Sequence, residues 1–100
     1  MELFRDRVFE SVLEKMEDRF DSHDFIFEMM RSFPREYTQA LYECRRSKDP
    51  IQTLHAKIGR KLSDYGGRLR KTRRKSSRNV RGLHSGNQHW EKTGNDGQDG

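Results

Sequence analysis

Phe4, Val8, Val12, Met16 and Phe20 recur at every fourth position, with Phe9 and Leu13 beside them, and the positions between are mostly Glu, Asp, Arg and Lys. Both rows lie on one side of a helix with 3.6 residues per turn, so the pattern predicts an amphipathic first helix over residues 2–20. Asp21 and Ser22 interrupt it. Either can cap a second helix over residues 22–33, which would bury Phe25, Ile26, Met29, Met30 and Phe33. Pro34 lacks an amide hydrogen and disfavours helical geometry at Phe33, so it either starts a third helix or kinks a continuous one. Tyr37, Ala40, Leu41 and Cys44 supply the i, i+3, i+4, i+7 stripe of a helix ending near Ser47. "DPIQ", residues 49–52, then reads as a helix start: Asp49 at the N-cap, Pro50 at the first helical position, Gln52 where a capping-box side chain reaches back. Ile51, Leu54, Ile58, Leu62 and Tyr65 line one face of this fourth helix, and Gly66-Gly67 supply its stop.

Beyond Gly67 the periodicity fails. Turn formers at Asn79, Gly82 and Ser85-Gly86-Asn87 admit a short hairpin, and "TGNDGQDG" at the end has the composition of a disordered tail. The expected fold class is therefore all-α, about four helices, with a basic C-terminal segment that could form a β-hairpin wing. The expected organisation is a helical body over 1–65, a basic hairpin-like or disordered segment over 66–92 and a disordered tail over 93–100.

Composition sharpens this division. Leu, Ile, Val and Phe number 19 in 100 residues, near the level that flags disorder, but 16 of them lie in residues 1–65. The body thus has enough apolar side chains for a core, while residues 66–100 hold only Leu69, Val80 and Leu83, plus Trp90. Cys44 is the only cysteine, which excludes an intrachain disulfide and suits a reducing compartment. "MELFRDRVFE" has no uninterrupted apolar stretch of the secretory kind, and the longest apolar run is Phe25-Ile26-Phe27, so no membrane insertion is expected. The expected location is cytoplasmic, or nucleoid-associated or nuclear if the partner is DNA.

Charge changes the picture most. Residues 1–56 carry 9 basic and 12 acidic side chains, whereas residues 57–81 carry 11 basic ones against Asp64 alone. The overall charge of +5 therefore comes from one block with a net of +10. Such a concentrated field draws polyanions. Lys57, Arg60 and Lys61 flank the apolar face of the fourth helix and run into Arg68, Arg70, Lys71, Arg73, Arg74, Lys75, Arg78 and Arg81. Several cations with few competing acids are what phosphate binding with counterion release requires. Beyond Gly67 arginine outnumbers lysine six to two in this block, which suits bidentate contacts to phosphate or guanine. Arginine-rich segments also fold on RNA hairpins, so RNA stays open behind DNA. Insertion into a membrane would need repeatedly interleaved Phe, Trp or Leu, and beyond Gly67 the block offers Leu69 alone.

Other chemistries find less support. Cys44 beside Arg45 and Arg46, with His55 as base, is the one candidate nucleophile pair, but both residues lie on or beside apolar stripes where packed side chains are the ordinary finding. His84 and His89 have no second cysteine to complete a zinc site. Glu10, Glu14, Glu17 and Asp18 read as a solvated helix face. No Gly-rich phosphate loop follows a strand. No enzyme, metal or cofactor is expected. Trp90 either packs on the body or stacks on an exposed base.

The stretch "DPIQTLHAKIGRKLSDYGG" followed by "RLRKTRRKSSRNVRGLH" resembles the recognition helix and basic wing of winged helix–turn–helix domains, over residues 49–92. That resemblance implies the fourth helix in a major groove, with Lys57, Arg60 and Lys61 near bases or phosphates. The expectation is a small non-enzymatic nucleic-acid-binding accessory protein, DNA-directed. The alternative is a helical protein-interaction module, a small adaptor or inhibitor. It would bind a partner, or itself, through the first or second helix, where Phe9, Phe27 and Met30 exceed what one small core hides.

Overall fold

The computed structural model describes residues 6–65, 69–78 and 84–93. Along the chain run α1 (Asp6–Lys15), β1 (Arg19–Asp21), α2 (Ser22–Ser32), α3 (Pro34–Glu43), α4 (Pro50–Ser63), β2 (Leu69–Arg78) and β3 (His84–Lys92). The strands form one antiparallel sheet in the order β1-β3-β2. The all-α expectation is therefore overturned: four helices and a three-stranded sheet share one core, and the class is α+β. The long α4 is followed directly by the antiparallel pair β2–β3.

The first correction falls at residue 16. The periodic row ending in Phe20 predicts helix, yet α1 stops at Lys15 and Phe20 lies on β1. Glu17 and Asp18 would place two negative charges at the negative end of the helix dipole, which disfavours another turn. Pairing with β3 offers more, because Phe20 lies opposite Trp90 and both are buried. Lys92 closes the junction, its amide donating to the Asp18 carbonyl at 2.8 Å and its Nζ to the Met16 carbonyl at 2.6 Å. Two carbonyls of the segment that follows α1 thus find donors on β3.

Later helix boundaries follow local chemistry. Asp21 caps α2 in a reciprocal box: its carboxylate accepts the Asp24 amide at 2.8 Å, and the Asp24 carboxylate accepts the Asp21 amide at 3.4 Å. Pro34 starts α3 and does not kink a continuous helix. This helix ends at Glu43, short of the expected Ser47, and Cys44 to Ser47 make turns. Asp49 caps α4 through the Gln52 amide at 3.2 Å, with Pro50 at its first position. Ser85, Gly86 and Asn87, read as turn formers, lie inside β3. Gly66-Gly67, Asn79, Gly82 and the tail over 94–100 lie outside the described residues.

One face of the sheet joins the core through Phe20, Leu69 and Trp90, packed with Phe9, Phe25, Met29, Leu54, Ile58 and Leu62. The Phe9 and Phe25 rings stand 4.6 Å apart. Trp90 is 3% exposed and its indole N–H donates to Ser22 Oγ at 2.9 Å. The indole is core, so it offers no stacking platform. Phe9 is fully buried as well, which removes it from the surface expected for a protein partner; Phe27 keeps 42% exposure.

Candidate nucleic-acid interface

α4 packs against the core through Leu54, Ile58 and Leu62, every fourth residue, and against β2 beyond its C-terminal end. The opposite ridge therefore faces water, and its exposed positions are Gln52, Ala56, Arg60 and Ser63. No Asp or Glu occurs between Pro50 and Ser63. A side chain built at Gly59 would meet nothing within 4 Å, so the middle of this ridge is low and open.

The structure sorts the expected phosphate-binding residues into groups. Lys57, Arg60 and Lys71 make no ion pair with any acid among the described residues. Lys61 is turned inward: its Nζ lies 3.2 Å from Asp6 Oδ1 and 5.2 Å from the Phe9 ring centroid. Arg70 is also engaged, its guanidinium donating to Glu91, whose other oxygen accepts Arg19 Nε at 3.1 Å. Arg19, Glu91 and Arg70 stand opposite one another across β1, β3 and β2, so this row follows from strand register. The Arg70 hydrogen bond first, and then that of Arg19, hold the Glu91 carboxyl below its ordinary range. Arg73, Arg74, Lys75 and Arg78 lie on β2. Arg68 and Arg81 lie outside the described residues.

β2 is an edge strand of the sheet, interrupted by a bulge between Lys71 and Arg74. An extra residue there increases local twist, and a run of cations along an edge opposes pairing with a foreign strand. The same run gathers six cations on a strand that contacts α4.

Cys44 is buried in the core, and His55 Nε2 lies 2.7 Å from the Tyr37 hydroxyl, whose pKa burial raises. Among the described residues no group of three or more His, Cys, Asp or Glu side chains could hold a metal, and no helix is long and apolar enough to cross a membrane.

Two features escaped the sequence reading. Glu91 stands between two arginines remote from it in the chain, which only strand register reveals. The turn after α3 carries Arg45, Arg46 and Lys48 beside an exposed Tyr42, a local concentration hidden in a segment whose average charge is acidic. Comparisons with protein-family models, curated proteins and solved structures give no significant match.

Proposed function

We propose that this chain is a small non-enzymatic nucleic-acid-binding protein, directed to duplex DNA. In this reading the open ridge of α4 enters a groove while β2 grips the adjoining backbone. The observation that carries it is the contact between α4, whose solvent-facing ridge holds no acid, and a strand whose ten residues include six cations and no acid. Small side chains at Ala56 and Gly59 allow close approach to a groove floor. Gln52 and Arg60 bring the amide and guanidinium groups that pair with base edges and phosphates. The resemblance of α4 and the following strand to a recognition helix and basic wing points the same way.

A mobility shift across salt concentrations tests the proposal with the full-length chain. About six phosphate contacts give a slope of log K against log salt near −5. Charge reversal at Arg73 and Arg74 should abolish the shift, and duplex DNA should bind more tightly than hairpin RNA. Salt-independent affinity, or undiminished binding by the doubly reversed chain, would overturn the reading.

One observation favours a protein partner instead. Phe27 is exposed at an open groove of about 470 Å³ whose lining includes Met16, Phe20, Lys15 and Arg31. On that reading Phe27→Ser lowers self-association in sedimentation experiments and leaves DNA affinity untouched.

A further inference from the structure

Tyr42, on the last turn of α3, is 58% exposed. The Arg45 guanidinium carbon lies 4.2 Å from the centre of its ring, and Arg45 Nη1 donates to the Tyr42 carbonyl at 3.2 Å. The guanidinium is therefore held on two sides, by the ring face and by the backbone, with its other N–H donors open to solvent. Arg46 and Lys48 are exposed beside it, and none of the three cations is paired with a carboxylate among the described residues. The two nearby acids are occupied: Glu43 accepts the Gln39 amide at 3.2 Å, and Asp49 caps α4.

This cluster ends two residues before Pro50, the start of α4. Arg60 is ten residues further along the helix, about 15 Å at 1.5 Å per residue. Unpaired cations thus lie on the turn before α4 and in its last turn, about 15 Å apart along the helix axis. A major groove about 12 Å wide fits between them, with a phosphate backbone on each side.

We propose that Tyr42, Arg45, Arg46 and Lys48 form a second phosphate-binding point, which grips the backbone across the groove from β2. Arg45, Arg46 and Lys48 contact phosphate; Tyr42 is a positioning residue that holds the Arg45 guanidinium flat and reduces the order lost on binding. The partner is accordingly a duplex, since two backbones flanking one helix are needed to use both ends. The inference rests on the nucleic-acid reading above and names a contact surface at the opposite end of α4 from β2.

Salt titrations of duplex affinity separate the two roles. Arg45→Ala with Arg46→Ala should weaken binding about tenfold and make the log–log salt slope shallower by about two, one unit per lost phosphate contact. Tyr42→Ala keeps every charge, so affinity falls about two- to fivefold with the slope unchanged. Tyr42→Phe keeps the ring and should bind as the wild type does, as should Arg7→Ala, an exposed cation on α1. Unchanged affinity and slope in the Arg45/Arg46 double variant, while the Arg73/Arg74 reversal still abolishes binding, would overturn this inference alone. A slope that falls in Tyr42→Ala would overturn the positioning role, and a wild-type chain that binds no duplex would overturn both readings. Thermal melts confirm that each variant is folded, as expected for side chains this exposed.

Discussion

Two carboxylates at the rim of the sheet respond to acid in opposite directions. Glu91 is held below its ordinary range by hydrogen bonds from Arg70 and then Arg19. Its stabilising contribution is present above the unfolded-state pKa and is lost as pH falls through the lower folded-state value. Glu91→Gln should therefore lower the melting temperature at pH 7, and the difference from wild type should close below about pH 4. Asp24 is raised, first by its partial burial and then by the charge of Asp21 across the cap. A raised carboxyl stabilises the fold fully below its unfolded-state pKa and loses that contribution as pH rises through the folded-state value. Asp24→Asn keeps an oxygen to accept the Asp21 amide while removing the charge that faces Asp21. Melting of this variant at pH 7 should thus come at or above the wild-type temperature, an advantage that disappears in acid. Melts of the two variants between pH 3 and pH 7 (about the span of a carboxyl titration) show whether the curves cross as argued.

At the scale of elements, the hairpin is part of the core and not an appendage to it. Leu69 at the start of β2 and Trp90 on β3 are both 3% exposed, and β1 has β3 as its partner. Trp90→Ala removes the indole from among Phe20 and its neighbours and leaves Ser22 Oγ without its donor. A loss of about 3–5 kcal/mol is expected, a large share of the roughly 5–15 kcal/mol that holds a domain together. A fragment of residues 1–65 lacks both side chains and leaves β1 unpaired, so it should melt without a cooperative transition by circular dichroism. Charge substitutions within the full chain are for that reason the sound test of β2. The same facts explain what the sequence made legible. Asp21, Pro34 and the Asp49-Pro50 pair act on their own neighbours, so α2, α3 and α4 announce their beginnings. β1 is three residues long, and its buried Phe20 continues the spacing of α1. β2 offers one apolar residue in ten and β3 one tryptophan, so neither shows an alternating pattern. Their place in the sheet is set by partners far away in the chain. Charge accumulation over 57–81 was legible from composition, but the pairing of Lys61 with Asp6 and of Arg70 with Glu91 depends on tertiary structure.

Across the whole molecule, the body and the cationic strand have opposite signs yet fold as one unit. Residues 1–56 carry a net −3 and residues 57–81 a net +10. Acids of the body and of β3 neutralise part of the positive block: Asp6 faces Lys61, and Glu91 faces Arg70. Within that block, Lys57 and Arg60 on α4 and Lys71 at the start of β2 have no such partner among the described residues. Because β2 carries Leu69 into the core, anything that binds the folded strand more tightly than the unfolded one must stabilise the entire domain. A ligand at one hundred times its dissociation constant adds about 2.7 kcal/mol. In a domain of this size each kcal/mol moves the melting temperature by about 4–8 °C, so saturating duplex should raise it by roughly 10 °C or more. The rise should shrink as salt weakens binding and vanish on charge reversal at Arg73 and Arg74. A tail merely tethered to a folded body would bind duplex equally well before and after the body melts, and its melting temperature would stay where it was. A thermal shift measured with and without duplex at low salt therefore tests the coupling itself. Binding without a shift would show that the positive strand acts apart from the fold that carries it.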